Sequence, residues 1–260
     1  MDYGLNMKQL PNLFTLLNLV FGCLAIVFIL QNGIIITADN NEGQLVDIPE
    51  KIWLASLFIG LAAVVDFLDG FVARLFRSTS RMGQQLDSLA DLVSFGVAPA
   101  LIIYQFLRLS FAKEPNGMDI SMGWLVIPFL IPCAAAWRLA RFNLDDNAGL
   151  NFKGLPVPSV GILVVSLPLL YWDSQMTWVI DLLLNKWFLY GLVVLLSFLM
   201  ISSLPMMSLK FKDFSFKTNW IKYLLLVLSI IAAILFKWLA IPLIIILYVI
   251  LSLVFKNKFA

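Results

Sequence analysis

Residues 66–91 read DFLDGFVARLFRSTSRMGQQLDSLAD, and the reading of this stretch decides how the rest of the chain is understood. Four aspartates, Asp66, Asp69, Asp87 and Asp91, stand here with Gly70, Gly83 and Arg74, in a sequence that is otherwise almost uncharged wherever it is apolar. Asp66 and Asp69 are three residues apart and Asp87 and Asp91 four apart, so on helices each pair shares one face. Two such faces turned toward each other make an acidic cage. An ionised Asp within a bilayer costs roughly 2.5 to 3.5 kcal/mol, so the four together imply a compensating cation or a solvated cavity.

The surrounding composition sets the class. The chain has 260 residues, of which 61% are hydrophobic and 13% charged, with a mean hydropathy of +0.93; no ordinary soluble domain has these values, and a polytopic membrane protein does. Eighteen basic and 16 acidic residues leave a net charge of +2, too balanced for a nucleic-acid surface, and the absence of histidine removes imidazole chemistry. Cys23 and Cys133 lie isolated in apolar runs without metal-ligand spacing, as small buried hydrophobes do.

Apolar runs of spanning length are predicted at about 11–30, 53–76, 87–110, 122–142, 156–172, 187–205, 219–236 and 238–255, an all-α membrane protein with about eight transmembrane helices. The first run is longer than a secretory signal core and continues into a polar loop. It carries Asn12, Thr15, Asn18 and Gly22 as a polar and small stripe, suited either to helix packing or to lining the acidic site. Between the last two runs the connection is tight, and Pro242 leaves a single broken helix or a re-entrant pair as an alternative.

Lys and Arg are retained on the cytoplasmic side of a membrane. Lys8, then Arg77 and Arg81, then Arg141 and Lys153, then Lys210, Lys212 and Lys217, then Lys256 and Lys258 mark every second connection as basic. The intervening ones carry Asp39, Glu42, Asp47 and Glu50, then Glu114 and Asp119, then Asp173 and Asp181. Both termini, and the 66–91 stretch with them, are thereby predicted at the cytoplasmic face.

Hard oxygen ligands without His or Cys partners select Mg²⁺, Mn²⁺ or Ca²⁺ over zinc, copper or iron. Two divalent ions would balance four negative charges. Gly70 leaves room for a bulky polar group near the backbone, Ala73 keeps the next turn small, and Arg74 sets a guanidinium beside the acids, as phosphate clamps do. Plainer readings exist for any one of these aspartates, as a buried Asp–Arg pair or as a proton relay in an ion-coupled transporter. The whole spaced set favours a metal and phosphate site.

Taken together, Asp66-x2-Asp69-Gly70-x2-Ala73-Arg74-x8-Gly83-x3-Asp87-x3-Asp91 resembles, at all eight specified positions, the signature of the CDP-alcohol phosphotransferases. The resemblance covers roughly residues 8–205 and implies a six-helix catalytic core, with 219–255 as a two-helix extension of a single integral membrane domain, 1–260. LPNLFTLLNLVFGCLAI at 10–26, DSLADLVSFGVAPA at 87–100, RLARFN at 138–143 and FKGLPVPS at 152–159 are most similar to bacterial and archaeal members that act on serine.

That resemblance implies transfer of the phosphatidyl group of CDP-diacylglycerol to L-serine with release of CMP, in phospholipid biosynthesis. Glycerol 3-phosphate and inositol phosphate are alternative acceptors, and an ion-coupled transporter is the non-enzymatic alternative. By the same resemblance Asp66, Asp69 and Asp87 would bind two Mg²⁺ or Mn²⁺ ions, with Asp91 both touching a metal and acting as general base. Asn12, Thr15, Asp69, Gly70, Arg74 and Ser80 would hold CDP-diacylglycerol. For a serine carboxylate the available cations are Arg138, Arg141 and Lys153, each of which also fits simple retention on the cytoplasmic side. A homodimer in the cell membrane is expected, with no nucleic acid partner.

Overall fold

A computed structural model describes residues 10–31, 34–38, 44–47, 51–75, 80–114, 119–144, 153–173, 176–207 and 215–255. Its helices are α1 (Leu10–Gln31), α2 (Ile52–Leu75), α3 (Arg81–Asp91), α4 (Ala98–Ala112), α5 (Met122–Leu125), α6 (Leu130–Leu144), α7 (Val157–Asp173), α8 (Thr177–Leu183), α9 (Lys186–Ile201), α10 (Phe216–Phe236) and α11 (Ala240–Val254). A π-helical segment, Leu92–Val97, joins α3 to α4 without a break, so the chain from Arg81 to Ala112 is one long rod. Ser80 caps it, its side chain accepting from Gly83 N at 2.9 Å, which satisfies one of the orphan amides of the first turn.

Among the described residues, four helical segments are long and apolar enough to cross a membrane: Pro11–Gln31, Ile52–Val72, Arg81–Ala112 and Asn219–Val254. A fifth arises if α8 and α9, bent by 66° at their junction, form one span. The count of eight predicted from apolar runs is therefore not reached by length and composition. Two physical causes are visible. The run at 122–142 is interrupted by a 3-10 turn at Ile127–Phe129 containing Pro128, which leaves α6 with 15 residues. The last two predicted runs form one segment that doubles back where Lys237 takes a left-handed φ of 47°. Trp220 at its start meets Phe255 at its end, ring centroids 5.2 Å apart, so α10 and α11 make an antiparallel hairpin.

A short antiparallel pair of strands, β1 (Ile35–Ala38) and β2 (Gln44–Asp47), stands in the connection read from sequence as an acidic loop. The rest of the described chain is helical apart from short connections, among them an isolated antiparallel bridge between Lys153 and Pro205.

Helices in lipid gain little from hiding apolar surface and associate by close packing of small residues and by interhelical hydrogen bonds. The core follows that rule. Ala25, Ala55, Ala62, Ala98, Ala100, Ala134 and Ala135 are buried between helices, around the large side chains of Phe95, Ile102, Ile103 and Phe106 on the central rod. Ser56 of α2 donates to Val165 O of α7 at 2.9 Å, and Gln105 of α4 donates to Ile29 O near the end of α1 at 3.0 Å, where helix carbonyls lack intrahelical partners. These bonds tie α1 to the rod and α2 to α7, several turns along the helices from the aspartates.

Candidate active site

Two helices deliver the acidic groups and a third faces them. The spacing in α2 turns Asp66 and Asp69 to one side, the spacing in α3 does the same for Asp87 and Asp91, and α1 closes the third side with its polar stripe. The carboxylates of Asp66, Asp87 and Asp91 offer oxygens that all lie within 4.8 Å of one another. Asp69 stands beside this group. Thr15 donates a short hydrogen bond from Oγ1 to Asp69 Oδ2, and the other oxygen, Oδ1, is buried without a partner among the described residues.

The stripe of α1 that had two readings is split by the structure according to depth. Asn12 and Thr15 line the cavity. Asn18, fully buried, donates from Nδ2 to Asp91 Oδ1 at 3.3 Å and keeps a buried Oδ1 with no partner. Gly22 packs. A Cβ there would lie 2.3 Å from Ser94 Oγ and 2.9 Å from Ser94 Cα, so only glycine lets α1 touch the π segment. Ser94 Oγ in turn donates to Asn18 O at 3.0 Å. The π turn begins directly after Asp91, a placement in keeping with the concentration of such turns at functional sites.

A cavity of about 700 Å³ opens onto these groups, lined by Asn12, Thr15, Asp66, Asp69, Gly70, Ser80, Gly83, Asp87, Asp91 and Arg138 among others. Its far wall belongs to α6 and the start of α7. There Asn143 Nδ2 donates to Ser88 Oγ at 2.9 Å and Asn143 Oδ1 accepts from Gln84 Nε2 at 3.1 Å, an amide bridge tying α3 to α6. Arg138 Nη2 donates to the carbonyls of Lys153 and Gly154 at 3.4 and 3.3 Å, and Arg138 Nε is buried with no partner.

The structure thus gathers most of the sequence-predicted residues at one cavity and separates others from it. Of the three candidate acceptor cations only Arg138 lines the wall. Arg141 spends a hydrogen bond on Ile201 O at 3.2 Å, and Lys153 is exposed, its backbone bridged to Pro205. Arg74 belongs to α2, but its side chain lies outside the described residues, as do Arg77 and most of the basic and acidic connections. Sequence reading did not single out Gln84, Ser88 and Asn143. Gln84, three residues before Asp87, shares its face; Ser88, the residue after Asp87, and Asn143, from a distant helix, lie in stretches quoted for the resemblance but were given no role.

These residues fit divalent cations. The donors are carboxylates alone, hard ligands suited to Mg²⁺ or Mn²⁺, and three of them converge from two helices. Buried oxygens at Asp69 and Asn18 lack any donor among the described residues. Among the described residues no Lys or Arg forms an ion pair with the four aspartates; the ion pair of Lys186 with Glu114 lies elsewhere. Like charges held this close in a poorly solvated place need a counter-charge.

Comparison with known proteins agrees with this geometry. Residues 8–198 match the family described as CDP-alcohol phosphatidyltransferase. The CDP-diacylglycerol–serine O-phosphatidyltransferase of Mycobacterium tuberculosis is 33% identical over 237 residues, 88% of this chain and 71% of that protein. The enzyme of the same name from Helicobacter pylori is 34% identical over 221 residues, 84% of this chain and 78% of its own. That of Bacillus subtilis is 31% identical over 172 residues, 64% of this chain and 78% of its own. With its eight signature positions intact and the match running through the helices that build the acidic cavity, this chain belongs to the CDP-alcohol phosphatidyltransferase family.

Proposed function

We propose that the protein transfers the phosphatidyl group of CDP-diacylglycerol to L-serine, giving phosphatidylserine and CMP in phospholipid biosynthesis. The observation that carries this reading is the convergence of Asp66, Asp87 and Asp91, with oxygens within 4.8 Å, on a cavity that also presents Arg138. Similarity over most of the chain to relatives named CDP-diacylglycerol–serine O-phosphatidyltransferase supports the choice of acceptor.

In this reading Asp66, Asp69, Asp87 and Asp91 hold two Mg²⁺ or Mn²⁺ ions, which when bound neutralise the diphosphate and the departing CMP. Asn12, Thr15, Asp69, Gly70, Arg74 and Ser80 hold the nucleotide and diphosphate of CDP-diacylglycerol. Thr15 fixes Asp69 through its hydroxyl, and Asn18 orients Asp91 through its amide. A carboxylate oxygen of Asp91 takes the hydroxyl proton of serine as the serine oxygen bonds to the phosphatidyl phosphorus and the bond from that phosphorus to CMP breaks. The proton then passes to solvent. Arg138 meets the serine carboxylate, with Arg141 and Lys153 contributing positive potential around the entrance rather than contact.

The site sits at the cytoplasmic face of the cell membrane, where a water-soluble alcohol meets a lipid whose acyl chains remain in the bilayer. Both termini are cytoplasmic. Eight segments cross the membrane: α6, α7 and the bent α8–α9 pair complete the core at 8–205, and the α10–α11 hairpin supplies the last two within one integral domain. The protein acts as a homodimer. Offering CDP-diacylglycerol to purified protein with L-serine, glycerol 3-phosphate or inositol phosphate tests the acceptor. Serine is expected to give lipid product with at least tenfold higher kcat/KM than the others; a higher value for either phosphate acceptor would reassign the substrate.

A further inference from the structure

The α10–α11 hairpin lies beyond the family match, yet it reaches the site through a short chain of hydrogen bonds. After α9 the backbone runs extended from Leu204 to Met207. Met207 is gripped on both of its polar backbone groups by α11: Tyr248 OH donates to Met207 O at 2.9 Å, and Met207 N donates to Ser252 Oγ at 3.1 Å. Ser252 Oγ donates in turn to Tyr248 O at 2.7 Å, so the two side chains, one helical turn apart, form a single clamp. Met206 and Met207 are each 1% exposed, and Ser252 is fully buried.

The strap held by this clamp lies alongside the segment before α7. Lys153 and Pro205 pair as an antiparallel bridge, and Gly154 N donates to Leu204 O at 2.9 Å. Gly154 takes a left-handed φ of 72°, and a Cβ on it would lie 2.5 Å from Met200 O; glycine is needed for this segment to lie so close to the end of α9. The carbonyls of Lys153 and Gly154 are the two that receive Arg138 Nη2. Arg138 therefore has one edge spent on the strapped segment and its Nε buried without a partner among the described residues, at the wall of the cavity.

We propose that Tyr248 and Ser252 are positioning residues for the acceptor: by clamping Met207 they hold the strap whose neighbouring carbonyls aim Arg138 into the cavity, so the C-terminal hairpin sets the affinity for the serine carboxylate. This rests on the reading of Arg138 as the carboxylate contact. Arg is suited to that role because a guanidinium anchored along one edge still presents other donors to a planar carboxylate. The strap is a device for choosing which edge is free.

The test is steady-state kinetics of the full-length protein with L-serine and with serinol, an amino alcohol of the same reach without a carboxylate, followed as a substrate or as a competitive inhibitor. Tyr248→Phe removes its bond to Met207, and Ser252→Ala removes its bond to Met207 together with the one to Tyr248 O; each is expected to raise the serine KM about three- to tenfold, the effect of one lost grip on the strap. Serinol affinity, kcat and the KM for CDP-diacylglycerol should stay within about twofold. Ser252→Thr keeps the hydroxyl and should keep the wild-type serine KM. Arg138→Ala should raise the serine KM further, and adding Tyr248→Phe to it should raise it no more, because the two act through one contact.

An unchanged serine KM in Arg138→Ala would overturn the carboxylate assignment, and the proposal with it, while leaving the phosphatidyl transfer intact. A raised KM in Arg138→Ala with wild-type values in both clamp variants would overturn the proposal alone. So would equal losses for serine and serinol, or additivity with Arg138→Ala, each of which marks a purely structural hairpin. If Tyr248→Phe yields no folded protein, the contrast between Ser252→Ala and Ser252→Thr decides the matter by the same criteria.

Discussion

Replacing Gly22 by alanine probes the joint on which the site hangs. The new methyl group would sit 2.3 Å from Ser94 Oγ, 3.1 Å from Ser94 Cβ and 2.9 Å from Ser94 Cα. The hydroxyl can rotate away, at the loss of its bond to Asn18 O, roughly 0.5 to 1.5 kcal/mol. The Cα cannot rotate, so α1 must move off the π segment by about half an ångström or more to restore ordinary contact. Overpacking of this kind costs about 1 to 3 kcal/mol, and the two effects together put the loss of stability near ~2 to 4 kcal/mol. The displacement falls one turn from Asn18, whose amide already reaches Asp91 at 3.3 Å, so the bond that orients the base is the first to break. A fluorescence thermal-melt assay in detergent, run with kcat under saturating substrates, is expected to show a lowered midpoint and at least a tenfold loss of turnover. Gly22→Ala combined with Ser94→Gly removes the Oγ and Cβ collisions and should recover part of both. Wild-type stability and turnover in Gly22→Ala, or no recovery in the double variant, would refute the idea that close approach of α1 to the π segment sets the site.

Further expectations concern the acids, the nucleotide and the membrane. Asp66→Asn, Asp69→Asn and Asp87→Asn should each cost at least ~2 to 4 kcal/mol of transition-state stabilisation, and chelator should abolish turnover until Mg²⁺ or Mn²⁺ is returned; full activity in excess chelator would end the metal assignment. Asp91→Asn should nearly eliminate kcat while CDP-diacylglycerol binding stays within about tenfold, with metal titration separating loss of a ligand from loss of the base. Arg74→Ala should weaken CDP-diacylglycerol binding as well as slow the reaction, since the charge it meets is present before the transition state; binding left at the wild-type level would remove it from the nucleotide site. Cysteines introduced at 41 and 115 should be labelled from outside the cell and those at 79 and 213 should not; labelling at 79 would invert the topology.

Much of the site was legible because its chemistry is written locally. Asp66 and Asp69, or Asp87 and Asp91, need only helical periodicity to share a face, and the scarcity of other charge in the apolar runs draws attention to them. The polar stripe of α1 was visible too, though its division into a cavity-lining half and a packing half at Gly22 depends on where the rod passes. What escaped was tertiary. Arg138 and Arg141 are three residues apart on α6, near enough in angle that sequence cannot rank them; the strap from Leu204 to Met207 and the carbonyls of Lys153 and Gly154 decide that Arg138 lines the wall while Arg141 turns to Ile201. Asn143 joins the site only because α6 crosses α3. The strands at Ile35–Ala38 and Gln44–Asp47 are four residues each, too short for alternation to stand out beside the acidic residues around them. The break between the last two runs was read correctly at 236–238, whereas hydropathy alone does not see Pro128 interrupting one run or the 66° bend between α8 and α9.

The most direct measurement is the stoichiometry of products from purified, reconstituted protein given CDP-diacylglycerol, L-serine and Mg²⁺ or Mn²⁺. Phosphatidylserine and CMP should appear in equal amounts, and neither should form with Asp91→Asn or in excess chelator. CMP released without phosphatidylserine, or no turnover of CDP-diacylglycerol by the intact metal-supplied protein, would contradict phosphatidyl transfer to serine.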